Sequence, residues 1–349
     1  MTARENVFCG SGNISKSLRE RTIMKEISWR REKPPLFLAP MAGITDWAFR
    51  LLCQEQGCDA ATTEMISAQG FLTAKKQKNT YQLLARRAPF EKPLLVQLFG
   101  GDPKWMGEAA HVLSRMGRYA GIDINMGCPA KKVTGSGSGS RLMLDEALAG
   151  RIISACVQNS LLPVSVKMRL GWDEEHENAV SIARIAEQEG AAFLTVHGRT
   201  TRQQYSGKAD YGKIADVCRA VRIPVVANGD VCDGESALRA LSVTGCRGLA
   251  IGRAALGDPW VFSRVRAALN GEASVQPDLH ERLQTARRHA AYMRAGHDER
   301  TALLEMRKFF AWYIKGVYGA AEIRAKITTA GSFDEVESLL SELEDKNRA

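Results

Sequence analysis

The chain has 349 residues, 45% of them hydrophobic and 25% charged, with a net charge of +9. That length suits one large domain plus a smaller one, and the composition excludes a disordered or collagen-like chain. No apolar run reaches the length of a membrane span, so no membrane partner is expected.

In chain order, the opening MTARENVFCGSGNISKSLRERTIMK is polar and lacks the apolar centre of a secretory signal. Residues 1–33 read as an N-terminal extension. Met24-Lys25-Glu26 resembles an ordinary start, so residues 1–23 are expected to be a disordered extension or a misassigned start. Eight β-like segments follow: Leu36–Met41, Ala60–Met65, Leu94–Gly100, Gly121–Met126, Val164–Leu170, Phe193–Arg199, Val225–Val231 and Gly248–Ala254. Most are apolar on both faces, as parallel strands covered by helices are. Helical patterns fill the gaps. One opens on Asp102 as a cap with Pro103 in its first turn, and another stops at Gly57. This rhythm predicts an α/β fold, a (β/α)8 TIM barrel over residues 34–267. A doubly wound sheet would need a GxGxxG turn after its first strand, and PMAGITD is not one. LNGEASVQPDL reads as a linker, and residues 278–349 as an all-helical domain.

The positive charge is clustered, which favours a polyanionic partner. Ser67 to Lys92 carries six Lys/Arg and one Glu, and Glu281 to Ala330 carries ten Lys/Arg against five acidic residues. The eight cysteines form no CxxC pair, so reduced thiols, a cytoplasmic location and no metal centre are expected.

In a barrel, chemistry gathers where strands end. Those ends carry Met41, Gln97, Asn125, Cys128, Lys167, Arg169, His197, Arg199, Asn228, Gly229, Asp230, Gly252 and Arg253. The last two loops, NGD and IGRA, fit a phosphate site or simply two glycine turns. Lys167 and Arg169 share one strand face; turned inward, they call for an anionic or electron-rich ligand, and turned outward they are surface charges. A buried Gln97 amide suits the edge of a planar cofactor or neighbouring backbone. Cys128 sits where DINMGCPAKKVTGSGSGS passes from buried strand to what reads as a mobile Gly/Ser linker. Its thiol fits an acid, a nucleophile or packing, with Lys131 and Lys132 favouring thiolate.

These stretches resemble the tRNA-dihydrouridine synthase family, most like its bacterial B-type branch. The resemblance rests on APMAGITDWAFR, QLFGGDP, DINMGCPAKKV, KMRLGW, TVHGRTTRQQYSG, VVANGDV and IGRAALGDPWVF, and it runs from about Pro35 to Leu343. It implies an FMN enzyme that uses NADPH to reduce the C5–C6 bond of uridine in tRNA. Cys128 would protonate C5 after flavin N5 gives hydride to C6. Pro40, Met41, Ala42, Gln97, Lys167, His197, Asn228, Gly229 and Asp230 would hold FMN, with Gly252 and Arg253 on its phosphate. Asn125, Arg169 and Arg199 would lie near the uracil. Arg307, Lys308, Lys315 and Arg324 would hold tRNA phosphates, while Trp312 and Tyr313 would be helix core. The implied protein is a monomer without metal. The chain departs from the family at Thr134-Gly135-Ser136-Gly137, where relatives often carry basic residues, and at Arg141, where a small residue is usual. Two other readings of the residues stay open: a barrel flavoenzyme acting on a small enone or pyrimidine, and an RNA-binding protein without catalysis.

Overall fold

In the computed structural model, residues 27, 29, 32–74, 88, 91 and 93–348 are described. The start at Met24 and most of the basic stretch between Ser67 and Lys92 lie outside them.

Nine parallel strands form the sheet: β1 Leu36–Leu38, β2 Ala60–Thr62, β3 Ile66–Ser67, β4 Leu94–Phe99, β5 Gly121–Met126, β6 Val164–Met168, β7 Phe193–His197, β8 Val225–Asn228 and β9 Gly248–Ile251. The ladder runs β2-β1-β9-β8-β7-β6-β5-β4, and β4 pairs back onto β2 through Ala61↔Leu94 and Thr62↔Leu95. The ring is therefore a closed eight-stranded barrel. The two residues of β3 resume the β2 path along β4 after a break at residues 63–65.

Strands begin where the sequence predicts, but several end two or three residues sooner, after Leu38, Met168, His197, Asn228 and Ile251. The residues just past Met168, His197 and Asn228 are mostly buried although the ladder has stopped, and they include the polar Arg169, Arg199 and Asp230. Leaving the ladder is what lets these segments turn across the mouth.

Helices cover the barrel: α1 Trp47–Glu55, α2 Ala68–Thr73, α3 Pro103–Ser114, the single turn α4 Lys131–Thr134, α5 Glu146–Asn159, α6 Ala179–Gln188, α7 Tyr211–Ala220, α8 Gly234–Thr244 and α9 Val261–Leu269. Asp102 caps α3 by accepting from the Lys104 N–H, as the Asp-Pro pair predicts. At the floor, Ile27 and Trp29, placed by sequence in the extension, pack under the barrel. Trp29 meets Phe193 at 5.2 Å and Phe37 at 5.9 Å between ring centroids.

The C-terminal part is all helical: α10 Leu279–Gly296, α11 Glu299–Tyr313, α12 Ala320–Thr329 and α13 Phe333–Lys346. It docks through an aromatic cluster in which Phe49 of α1 stacks on His289 of α10 and meets Phe309 of α11 at 5.4 Å. Burial pushes the His289 imidazole down to about 3, so it sits there as a neutral ring. Among the described residues, no helix is long and apolar enough to cross a membrane, and no group of His, Cys, Asp and Glu is arranged to hold a metal ion.

Candidate active site

A cavity of about 720 Å³ opens at the C-terminal ends of the strands. Its walls include Pro40, Met41, Ala42, Gln97, Asn125, Cys128, Lys167, Arg169, His197, Asn228, Gly229, Asp230, Gly252 and Arg253. Residues scattered over more than 200 positions of sequence are thus gathered at one mouth. Arg199 is the exception among the strand-end residues.

Under the cavity runs an ordered row of hydrogen bonds. Ser165 Oγ donates to Asp123 Oδ1 at 2.6 Å, and Gln97 Nε2 donates to Asp123 Oδ2 at 2.7 Å. Asn125 Nδ2 donates to Gln97 Oε1 at 2.8 Å. Asn125 Oδ1 then accepts the backbone N–H groups of Gly127 at 3.1 Å and Cys128 at 2.9 Å. Every member of the row is an unambiguous donor or acceptor once Asp123 is ionised, because a carboxylate only accepts. Burial raises Asp123 to about 6, against the bonds from Ser165 and Gln97 and the charge of Lys167, so it is ionised above that pH. The row ends on the turn that presents the half-buried Cys128 to the cavity.

The loop after Cys128 is not the mobile linker its composition suggests. Lys131–Thr134 forms a helical turn and Gly139–Leu144 a 3-10 helix. Ser136 Oγ bonds the Val133 carbonyl at 2.7 Å, and Ser138 and Ser140 are buried. Ser140 returns to the start of the loop, its N–H and Oγ both donating to the Cys128 carbonyl at 3.1 and 3.0 Å. Lys131 and Lys132 point to solvent.

Lys167 faces inward. Its Nζ donates to Asn228 Oδ1 at 3.1 Å, and Asn228 Nδ2 in turn donates to the Ala250 carbonyl at 2.8 Å. Although Lys167 borders the cavity, the walls shield it from bulk water. Burial and the neighbouring Arg169 charge bring its ammonium down to about 8. It remains mostly cationic at neutral pH, with one described hydrogen bond for three N–H donors.

His197 is driven down to about 2 by burial and by Lys167, Arg169, Arg199 and Arg253, so it is neutral. Its Nε2 makes a long 3.4 Å contact with the Arg199 guanidinium. A guanidinium only donates, which makes Nε2 the acceptor and puts the ring proton on Nδ1.

The arginines divide sharply. Arg169 lines the cavity, yet its guanidinium is held by backbone: Nε on the Gly127 carbonyl at 2.7 Å, and the carbonyls of Thr200 and Gln204 at 2.9 Å. It braces the Cys128 turn from the β6 side. Arg199 is 1% exposed and lies behind the wall, paired with Asp230 at 2.7 Å and with the Ser206 and Gly207 carbonyls. The family resemblance implies both arginines near a substrate base; Arg169 lines the cavity and Arg199 does not. Asp230 lines the cavity with a left-handed backbone, φ 54°. Burial works against its charge, but the Ala209 N–H and the Arg199 guanidinium hold its carboxyl below the usual range. Arg253, half exposed, stays at 3.4 Å from Asp230 and is the loosest cation at the mouth.

Met41 lines the cavity, but its main chain is engaged in a local turn, its N–H on Thr45 Oγ1 and its carbonyl accepting from Ile44 and Thr45. Tyr205 was missed by sequence reasoning. It stands exposed at the rim with the Arg253 guanidinium 4.8 Å and the Arg169 guanidinium 5.8 Å from its ring centroid. Its only signal is a lone aromatic in the polar stretch RTTRQQYSG.

In the helical part, Arg307 turns inward to the Ala330 carbonyl at 2.6 Å, and Lys308 pairs with Glu305. Lys315 is exposed and Arg324 half-buried. Tyr313 is fully buried, and Trp312 packs edge-on against Phe309 at 5.3 Å, both helix core as expected.

A family model described as dihydrouridine synthase matches residues 37–347. The chain is 42% identical over 303 residues to the tRNA-dihydrouridine synthase B of Xanthomonas axonopodis pv. citri, covering 86% of this chain and 90% of that one. It is 41% identical to the tRNA-dihydrouridine synthase B of Pseudomonas putida, covering 83% and 86%. A probable tRNA-dihydrouridine synthase of Mycobacterium tuberculosis is 37% identical, with 89% and 82% covered.

Proposed function

The chain belongs to the dihydrouridine synthase family, and on that footing we propose that it reduces the C5–C6 double bond of uridine in tRNA to 5,6-dihydrouridine, with FMN as cofactor and NADPH as reductant. The observation that carries the reading is the placement of Cys128 on the wall of a cavity that also holds Lys167, Asn228, Gly229, Gly252 and Arg253.

The residues present fit FMN. A cavity of about 720 Å³ accommodates a tricyclic ring with its ribityl phosphate. Lys167 and Arg253 are cations with donors to spare, as an electron-rich ring and a phosphate require. A Cβ on Gly229 would sit 3.0 Å from the His197 ring, so glycine keeps the chain and the imidazole in contact and the floor flat. When bound, FMN supplies the two-electron chemistry, taking hydride from NADPH and giving it to uracil C6.

The chain's own residues do the rest. Lys167 and Asn228 hold one edge of the ring pocket. Asn125, oriented by Gln97, presents an amide beside Cys128. Cys128 Sγ–H gives its proton to C5 as electron density builds there, and solvent restores the thiol. A base can reach this cavity only by leaving its stack, so the substrate is an extruded uridine.

The test is direct. The purified protein should release FMN on denaturation, and with NADPH it should add two hydrogens to a uridine of an unmodified tRNA transcript, read by nucleoside mass spectrometry. A preparation that takes up no flavin and leaves the transcript unchanged contradicts the proposal.

A further inference from the structure

Beside the catalytic cavity lies a second cleft, of about 520 Å³, lined by Lys131, Thr134, Gly135, Gly137, Arg141 and Trp172. One loop contributes to both, with Cys128 and Pro129 lining the first and Lys131, Thr134, Gly135 and Gly137 lining the second. The segment from Cys128 to Ser140, closed on itself by the bonds from Ser140 to the Cys128 carbonyl, has the thiol on one side and Lys131 on the other. Trp172 forms its base, half-buried, with the Arg141 guanidinium 5.5 Å and the Arg202 guanidinium 5.8 Å from its ring.

This platform is tied together through backbone. The Arg202 N–H donates to the Trp172 carbonyl at 2.9 Å, and the Trp172 N–H donates to the His176 carbonyl at 3.0 Å. Among the described residues no carboxylate lines the cleft. Asp173, next in sequence to Trp172, contacts His176 at 2.6 Å, and Glu174 and Glu175 are exposed.

Building on the proposed tRNA substrate, we infer that this cleft holds the single-stranded nucleotides flanking the extruded uridine, with a base against the Arg141–Trp172–Arg202 stack and phosphates on Lys131 and Arg141. The chemistry favours RNA over a protein partner. Protein interfaces are built around an apolar core and deplete lysine, whereas this cleft is lined by one aromatic ring and two cations, Lys131 and Arg141, with Arg202 beside the ring. An aromatic face interleaved with guanidinium and ammonium groups is how single strands are gripped without base-specific readout. The location adds to this. Pulling one base into the catalytic cavity splays its neighbours, and the cleft begins three residues from Cys128, at Lys131.

The experiment measures tRNA affinity of the FMN-loaded full chain as a function of salt. Trp172→Ala should weaken binding on the order of tenfold with an unchanged salt slope, since stacking releases no counterions. Arg141→Ser should weaken binding and lower the slope by about one, the signature of a single lost phosphate contact. Both should keep wild-type flavin content and a wild-type rate of Cys128 alkylation, which shows that the fold and the neighbouring site are intact. Arg219→Ala removes an exposed arginine in the last turn of α7, at the opposite end of the barrel, and should change neither affinity nor slope. Wild-type affinity in both cleft variants overturns the inference, as does an equal loss in Arg219→Ala. A wild-type protein that binds no tRNA at all brings down the proposed function together with the cleft, an outcome distinct from a selective failure of the cleft variants.

Discussion

Asp123 illustrates how one buried charge sets the direction of its neighbours. While ionised it can only accept, so Gln97 must offer its NH2, Asn125 must offer its own to the Gln97 carbonyl, and the Asn125 oxygen is left for the Cys128 turn. Lys167 makes a pH prediction of known sign. Its ammonium is depressed to about 8, so the empty site loses this cation as pH rises through that value, and a ligand that needs the cation binds less tightly above it. FMN affinity should therefore be steady near neutrality and fall above about pH 8, and Lys167→Gln should bind more weakly and lose the step. Titration of apoprotein by flavin fluorescence checks this, and a flat profile in the wild type contradicts it. Cys128, Lys167 and Asn228 stood out in the sequence as unusual residues at strand ends, but whether Lys167 turned inward stayed open until the fold placed all three on the cavity wall. Asp123 and Ser165 were not, because a polar residue inside an apolar strand does not announce which neighbour satisfies it. The contrast between Arg169 and Arg199 was equally hidden. Both sit two residues past an inward group, and only the fold of the Ser206–Gly207 turn and Asp230 draws Arg199 out of the cavity wall.

At the scale of elements, the loop after β5 is where local composition misleads most. GSGSGS is linker composition, and a linker in isolation is flexible. Here each serine finds a partner within the loop, and the chain closes back on the Cys128 carbonyl. The glycine that permits this is Gly139, at φ 61°, where an added Cβ would stand 2.8 Å from the Cys128 oxygen and from Val133 Cγ1. Gly139→Ala should push the Cys128 turn aside while leaving the residues proposed to hold flavin, Lys167 and Asn228, untouched. A displacement near 1 Å at a reacting group costs on the order of a hundredfold in rate. The expected result is thus turnover down by about that factor at unchanged FMN stoichiometry, measured by tRNA reduction alongside flavin absorbance; unchanged turnover contradicts the close-packed reading of the loop. The barrel itself was readable from the alternation of strands and helices. The ends of its strands were not, since Arg169, Leu170, Gly198 and Arg199 stay buried after the ladder ends, and burial alone does not mark where pairing stops.

For the whole molecule, the barrel carries the candidate site and the helical part packs against it. The helical part is fixed by Phe49, His289 and Phe309, and two of its basic residues expected on RNA, Arg307 and Lys308, contact the Ala330 carbonyl and Glu305. In the proposed reaction a thiol and a flavin act on the same extruded base, each supplying one of the two added hydrogens. The measurement that tests it most directly follows Cys128→Ala with full-length tRNA. The variant should bind FMN, accept electrons from NADPH, bind tRNA with wild-type affinity and form no dihydrouridine beyond a trace. Normal dihydrouridine formation by Cys128→Ala would contradict the account.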